Sequence, residues 1–260
     1  VAGVALASMI SQFISAFLIL RALLTGKEKY CLRLSEIRFD KRKAAGILKI
    51  GIPSAFQYSL FAFANLFVQS SVNSFDHVLV EGNSAAANAD PLVYDMMAAF
   101  YTACSSFIAQ NFGARKKKRI LQTYLICLFY SFITSLVLGV GIYLARYPFL
   151  YLFTSDKAVV EAGITRLSIM ALSYSASAFM DASIAASRGL GKTAVPTFVV
   201  VMGSCVFRII WIYTIFAYFH TIQSLYILYV FSWGITAIAE NIYFFHVYRH
   251  TLTGKTESHL

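Results

Sequence analysis

Asp181, Arg208 and Glu240 are the residues of this chain that most need a chemical explanation, because each falls inside a long apolar stretch. Ionised groups in such surroundings are costly and face a cavity or a partner. Asp181 lies in LSIMALSYSASAFMDASIAAS, with Ser173 and Ser177 at the preceding four-residue steps. It sits roughly six residues, or about 9 Å along a helix axis, from the end of its stretch. A carboxylate held there needs a neutralising cation or proton, which suits it to cation binding and equally to structural pairing. Asp95, near the end of another stretch, is a second candidate cation-binding acid. Arg208, in SCVFRIIWIY, requires carboxylate or carbonyl partners. Its depth differs from that of Asp181 by about 10 Å, so direct pairing is left open. Glu240 and the adjacent Asn241 form a further polar point, read as structural.

Amides supply a different chemistry. Gln57, Asn65, Gln69 and Asn73 recur at multiples of four in GIPSAFQYSLFAFANLFVQSSVNSF, which keeps them on one slowly spiralling helix face. Such a stripe either bonds to neighbouring helices or lines a cleft that solvates a polar substrate. One side of residues 91–112 is small and polar (Asp95, Ala98, Thr102, Ser105, Ser106, Gln110), opposite Met97, Tyr101, Cys104 and Ile108. Thr102 and Tyr174 join Gln57, Asn65 and Gln69 as candidate cleft residues.

The elements that must position these groups are seven apolar stretches at 1–24, 48–75, 91–112, 121–146, 164–187, 195–219 and 223–248. Each reaches the ~20 residues that an α-helix needs to cross a bilayer core. With 58% hydrophobic residues and a mean hydropathy of +0.66, a soluble domain is excluded. The expected fold is all-α and polytopic, with seven transmembrane helices. The net charge of +10 is distributed in alternate loops rather than over one surface, which argues against nucleic-acid binding. Lys27, Lys29, Arg33, Arg38, Lys41, Arg42, Lys43 and Lys49, then Arg115–Arg119, then Arg188 and Lys192 mark cytoplasmic loops; Arg146, Lys157 and Arg166 stand among Asp76, Glu81, Asp156 and Glu161 in outer ones. The tail with Arg249 and Lys255 returns to the cytoplasm.

Enzymatic chemistry has no recognisable residues here. Cys31, Cys104, Cys127 and Cys205 have no ligand or disulfide spacing, and His246 and His250 lack a third metal ligand. RGLGKTAVP fails as a phosphate loop because position 186 is Ala; it reads as a tight turn with Pro196 opening the next helix. No cofactor is expected. No initiator Met or cleavage site precedes the first stretch, so the chain reads as a fragment.

GIPSAFQ, FIAQNFGARKKKR and MDASIAASRGLGKTAVP, in that order and spacing, resemble the seventh, eighth and tenth helices of the multidrug and toxic compound extrusion (MATE) family of antiporters. VAGVALASMISQFISAFLILRAL looks like the sixth. The resemblance implies the last helix of a first lobe at 1–24, a basic interlobe loop at 25–47, a six-helix second lobe at 48–248 and a cytoplasmic tail at 249–260. It further implies a two-lobe exporter whose missing N-terminal lobe completes the cleft, set in the inner membrane. Such proteins export small organic, cationic or amphipathic compounds in exchange for H+ or Na+. Asp181 matches the family's acidic position in the tenth helix, whereas the acid common in the seventh helix is absent from 48–75. A lipid-linked precursor flippase of the same superfamily and a non-transporting scaffold are the alternatives.

Overall fold

The computed structural model describes residues 2–25, 32–33 and 37–251, and these are all-α, with no strand among them. Cys31, Lys27, Lys29 and Lys255 lie outside the described residues. Seven helical segments are long and apolar enough to cross a membrane. The contacts divide the chain into Val1–Leu48 and Lys49–Leu260. The first unit holds α1 (Ala2–Thr25). Phe13, Phe17 and Ile19 there are exposed, as suits a helix that offers its side chains to lipid.

The second unit begins within α2 (Lys41–Val72) and continues through α3 (His77–Ala87), α4 (Ala89–Gly113), α5 (Lys117–Leu144), α6 (Arg146–Tyr151), α7 (Lys157–Gly189), α8 (Ala194–Phe219) and α9 (Ile222–His250). Three boundaries differ from the sequence reading. α2 starts at Lys41, so the loop expected over 25–47 is partly helical. The third stretch is lengthened by α3, whose polar sequence HVLVEGNSAAA hid it from a hydropathy reading. α7 starts at Lys157 and ends at Gly189, which moves Arg166 and Arg188 from loops into helix. Local sequence explains the starts: Asp76 Oδ1 accepts the Leu79 amide and Asp156 Oδ1 the Ala158 amide, capping α3 and α7.

α7 is the hub. In its most apolar window 67% of residues are buried, against 17% in α5, and it packs on α3, α4, α5 and α9. Alanine, serine and glycine make this possible by letting backbones approach. A Cβ on Gly139 of α5 would collide with the Ala171 carbonyl oxygen of α7. The turn after α7 is closed by Gly191, at φ +74°, with Lys192 N donating to Ser187 O.

α8 is irregular. Two π-helical turns, Val201–Val206 and Ile212–Phe216, flank a single α-helical turn, Phe207–Trp211, that carries Arg208. Such turns re-aim side chains and recur at functional sites. At Gly203 a Cβ would lie 2.5 Å from Thr236 Oγ1, so α8 and α9 are in close contact just before the arginine turn.

Candidate functional site

A cavity of about 280 Å³ opens within the second unit, lined by residues of α2, α3, α4, α7, α8 and α9. Each wall has a sequence origin. α2 contributes Phe61, Asn65 and Gln69 at four-residue steps; α9 contributes Tyr226, Tyr229 and Trp233, an i, i+3, i+7 aromatic stripe; α4 contributes Asp90 and Tyr94.

Two guanidiniums border this space. Arg166 is buried, donating through Nη2 to Asp90 Oδ2 at 2.5 Å and through Nη1 to Asn83 Oδ1 at 2.7 Å. The other Asp90 oxygen accepts from Tyr174 Oη at 2.5 Å. Asp90 is thus fully committed, and its charge offsets that of Arg166.

Arg208 is 1% exposed and has no such partner. Its Nη1 donates to Asn65 Oδ1 at 2.7 Å and its Nε, weakly, to Ser232 Oγ at 3.4 Å. The guanidinium packs on the rings of Phe61 and Tyr229, 4.7 and 4.5 Å from their centroids. Nη2 is buried without a hydrogen-bond partner. Neutral amide, hydroxyl and ring faces therefore hold a full positive charge. Counting Arg166, Arg208 and Asp90, the cavity carries a net charge of +1 (two cations, one anion).

A second polar cluster lies around Arg188 in the last turn of α7. Arg188 Nη1 donates to Tyr101 Oη at 2.7 Å and Nη2 to Gln57 Oε1 at 2.9 Å, tying α7 to α4 and α2. It is also the cation that acts electrostatically on both Asp181 and Glu240. Glu240 is fully buried, and neither carboxyl oxygen has a hydrogen-bond partner. Asp181 is half-buried. Arg188 bonds to neither acid, so both carboxyl groups lie within reach of its field but without a bonded counter-ion, and each needs a cation or proton to compensate it.

The expected site residues fall into groups that their spacing alone did not separate. Asn65 and Gln69 line the cavity, and Tyr174 reaches its wall through Asp90. Gln57 is buried elsewhere, on Arg188. Asp181 does not pair with Arg208. Asp95 and Thr102 are exposed on α4, and the Thr102 hydroxyl bonds to its own helix at Ala98 O. Neither meets the other candidates, because α4 turns Val93, Met97, Cys104 and Ile108 inward and its small polar face outward. Sequence reasoning missed Arg166 and Asp90, treating the arginine as a loop charge, although opposite charges on neighbouring spans were a usable signal. It also missed the aromatic stripe of α9.

With this geometry in place, comparison with known proteins is direct. The family profile described as MatE matches residues 53–214. This chain belongs to the MatE family. That span takes in every cavity residue on α2, α3, α4, α7 and α8 and leaves the α9 stripe beyond it. The MatE chain is 23% identical over 201 residues to a multidrug resistance protein NorM of Thermotoga maritima, covering 75% of this chain and 42% of that protein. Among solved structures, a MOP superfamily transporter from Pyrococcus furiosus is similar at TM-score 0.85 and 19% identity, over 96% of this chain and 56% of that one. The Vibrio cholerae MATE transporter VcmN in its bent form is similar at TM-score 0.75 and 17% identity, over 85% of this chain and 50% of that one. The chain therefore spans about half the length of the relatives it matches. Its fold and its apolar helices make it a multi-pass membrane protein.

Proposed function

We propose that this chain forms the second lobe of a secondary antiporter that exports organic, amphipathic compounds in exchange for H+ or Na+. Residues 1–24 are the last helix of the first lobe, 48–248 the six-helix second lobe, and an N-terminal lobe of the same protein completes the cleft. It resides in the cell (inner) membrane with its basic loops and C-terminus in the cytoplasm.

The observation that carries this reading is the presence, in one helical bundle, of two separate polar sites: the Asp181–Glu240–Arg188 cluster and the arginine- and aromatic-lined cavity. Gln57 and Asn65 place both on α2, the former on Arg188 and the latter on Arg208. A cation entering beside Asp181 changes the field that acts on the nearby Arg188. Arg188 holds Gln57 and Tyr101, so the charge state of the acids is transmitted through it to α2 and hence to the cavity wall. Exchange rather than co-transport follows if α2 favours the substrate-binding form of the cavity only while the acids are empty, so that ion and substrate exclude one another. Cationic as well as amphipathic compounds are implied by the family resemblance; a cation in the cavity would meet Arg208, so the geometry favours the amphipathic part. That same charge is what a lipid-linked precursor flippase would need.

Asp181→Asn tests the coupling. In cells or proteoliposomes it should abolish gradient-driven efflux while leaving membrane insertion intact. Wild-type rates with unchanged pH dependence would refute the assignment of Asp181; no gradient-driven efflux by the unmutated two-lobe protein would favour a scaffold, and translocation of a lipid-linked precursor without ethidium efflux would favour the flippase.

A further inference from the structure

We infer that the cavity beside Arg208 is a binding site for the acidic group of a small organic anion, with the body of the ligand held by the aromatic stripe of α9. The inference deepens the transport reading, on which it rests for the cavity's place on a substrate route, but the site itself stands on four observations. Arg208 is almost wholly buried with no carboxylate among its hydrogen-bond partners. One donor on its outer edge, Nη2, is unpartnered. The other, Nη1, is held by the amide oxygen of Asn65, a residue that is itself exposed. The turn that carries Arg208 lies between two π-helical turns in the wall of a cavity.

A guanidinium edge offers two parallel N–H groups that match a carboxylate, sulfonate or phosphate. Here a neutral oxygen fills one of those positions and the second is empty. A buried charge without a counter-ion is strongly destabilising, so an anion entering the cavity gains what the fold leaves uncompensated. Arg166 cannot take this role, since Asp90 already occupies it. Displacement of the Asn65 amide gives the acid both N–H groups, while Tyr226, Tyr229 and Trp233 present apolar ring surface to the rest of the molecule. The space walled by this chain, about 280 Å³, is enough to hold an aromatic acid of one or two rings.

The test measures equilibrium binding of 1-naphthoate, and of its cationic counterpart 1-naphthylmethylammonium, to the intact protein in phosphatidylcholine nanodiscs, with empty nanodiscs as reference. Saturable 1:1 binding of naphthoate and none of the ammonium is expected. Arg208→Gln should weaken naphthoate at least about tenfold, as loss of a charge-assisted pair does. Because removing a buried guanidinium also perturbs packing, Asn65→Asp serves as a second: it places a carboxylate on Nη1, supplies the missing counter-ion and should also weaken naphthoate at least about tenfold without loss of folded protein. Equal affinity in wild type and Asn65→Asp, or preference for the ammonium, would overturn the inference. Loss of naphthoate binding on adding phosphatidylglycerol would assign the site to an anionic lipid headgroup and overturn the soluble-acid ligand. Binding without gradient-driven efflux from proteoliposomes that also hold the N-terminal lobe would leave this site standing and refute the antiporter; efflux of ethidium there with no naphthoate binding would do the reverse.

Discussion

Replacing Asp90 with alanine removes the carboxylate bonded to Arg166 and, with it, the acceptor for the Tyr174 hydroxyl. The side chains of Arg166 and Asp90 are 9% and 23% exposed, so water screens this pair little. Breaking a buried ion pair from one side costs ~3–5 kcal/mol, because the remaining charge stays buried. Asn83 still holds Nη1, which puts the expected loss near the lower figure, about 3 kcal/mol. For a chain of this size that corresponds to a fall in melting temperature on the order of 5–10 °C. Thermal unfolding of purified protein in detergent, followed by helical circular dichroism, reads it. A double-mutant cycle isolates the pair: Arg166→Met combined with Asp90→Ala should be more stable than Asp90→Ala alone, since no unpaired charge remains. Asp90→Ala within about 1 kcal/mol of wild type, or simple additivity in the cycle, would refute the claim that this pair fastens α7 to α4.

Three further outcomes are expected. Gly139→Ala should destabilise the bundle by about 1–3 kcal/mol or more, since the new methyl meets the Ala171 carbonyl and neither backbone can yield; normal melting would show that α5 and α7 are less closely packed. In a background whose only cysteine is Cys31, an impermeant maleimide should label opened but not intact cells; labelling of intact cells would invert the proposed topology. The 260-residue chain reconstituted alone should insert without pumping, and co-expression with an N-terminal lobe should restore efflux; gradient-driven transport by the chain alone would refute the two-lobe requirement.

The membrane fold and the polar positions inside it were legible in the sequence because hydrocarbon imposes a local rule: each spanning segment must be apolar along its own length, so an Asp181 or Arg208 stands out residue by residue. The four-residue spacing of Gln57, Asn65 and Gln69 likewise fixed a shared helix face. What those groups bond to was not local. Arg208 finds Asn65 across 143 positions and Arg166 finds Asp90 across 76, and nothing in either segment states the partner. Helix ends were equally misread where polar residues continue a helix, which is why Arg166 and Arg188 were taken for loop charges. Face choice also belonged to packing: α4 offers both a small polar side and an apolar one, and contact with the small-residue surface of α7 turned Met97, Cys104 and Ile108 inward, leaving Asp95 and Thr102 outside. The sequence thus determined which residues are costly in a membrane, while the tertiary structure alone decided which charges are compensated, because compensation depends on distances between helices that are far apart in the chain.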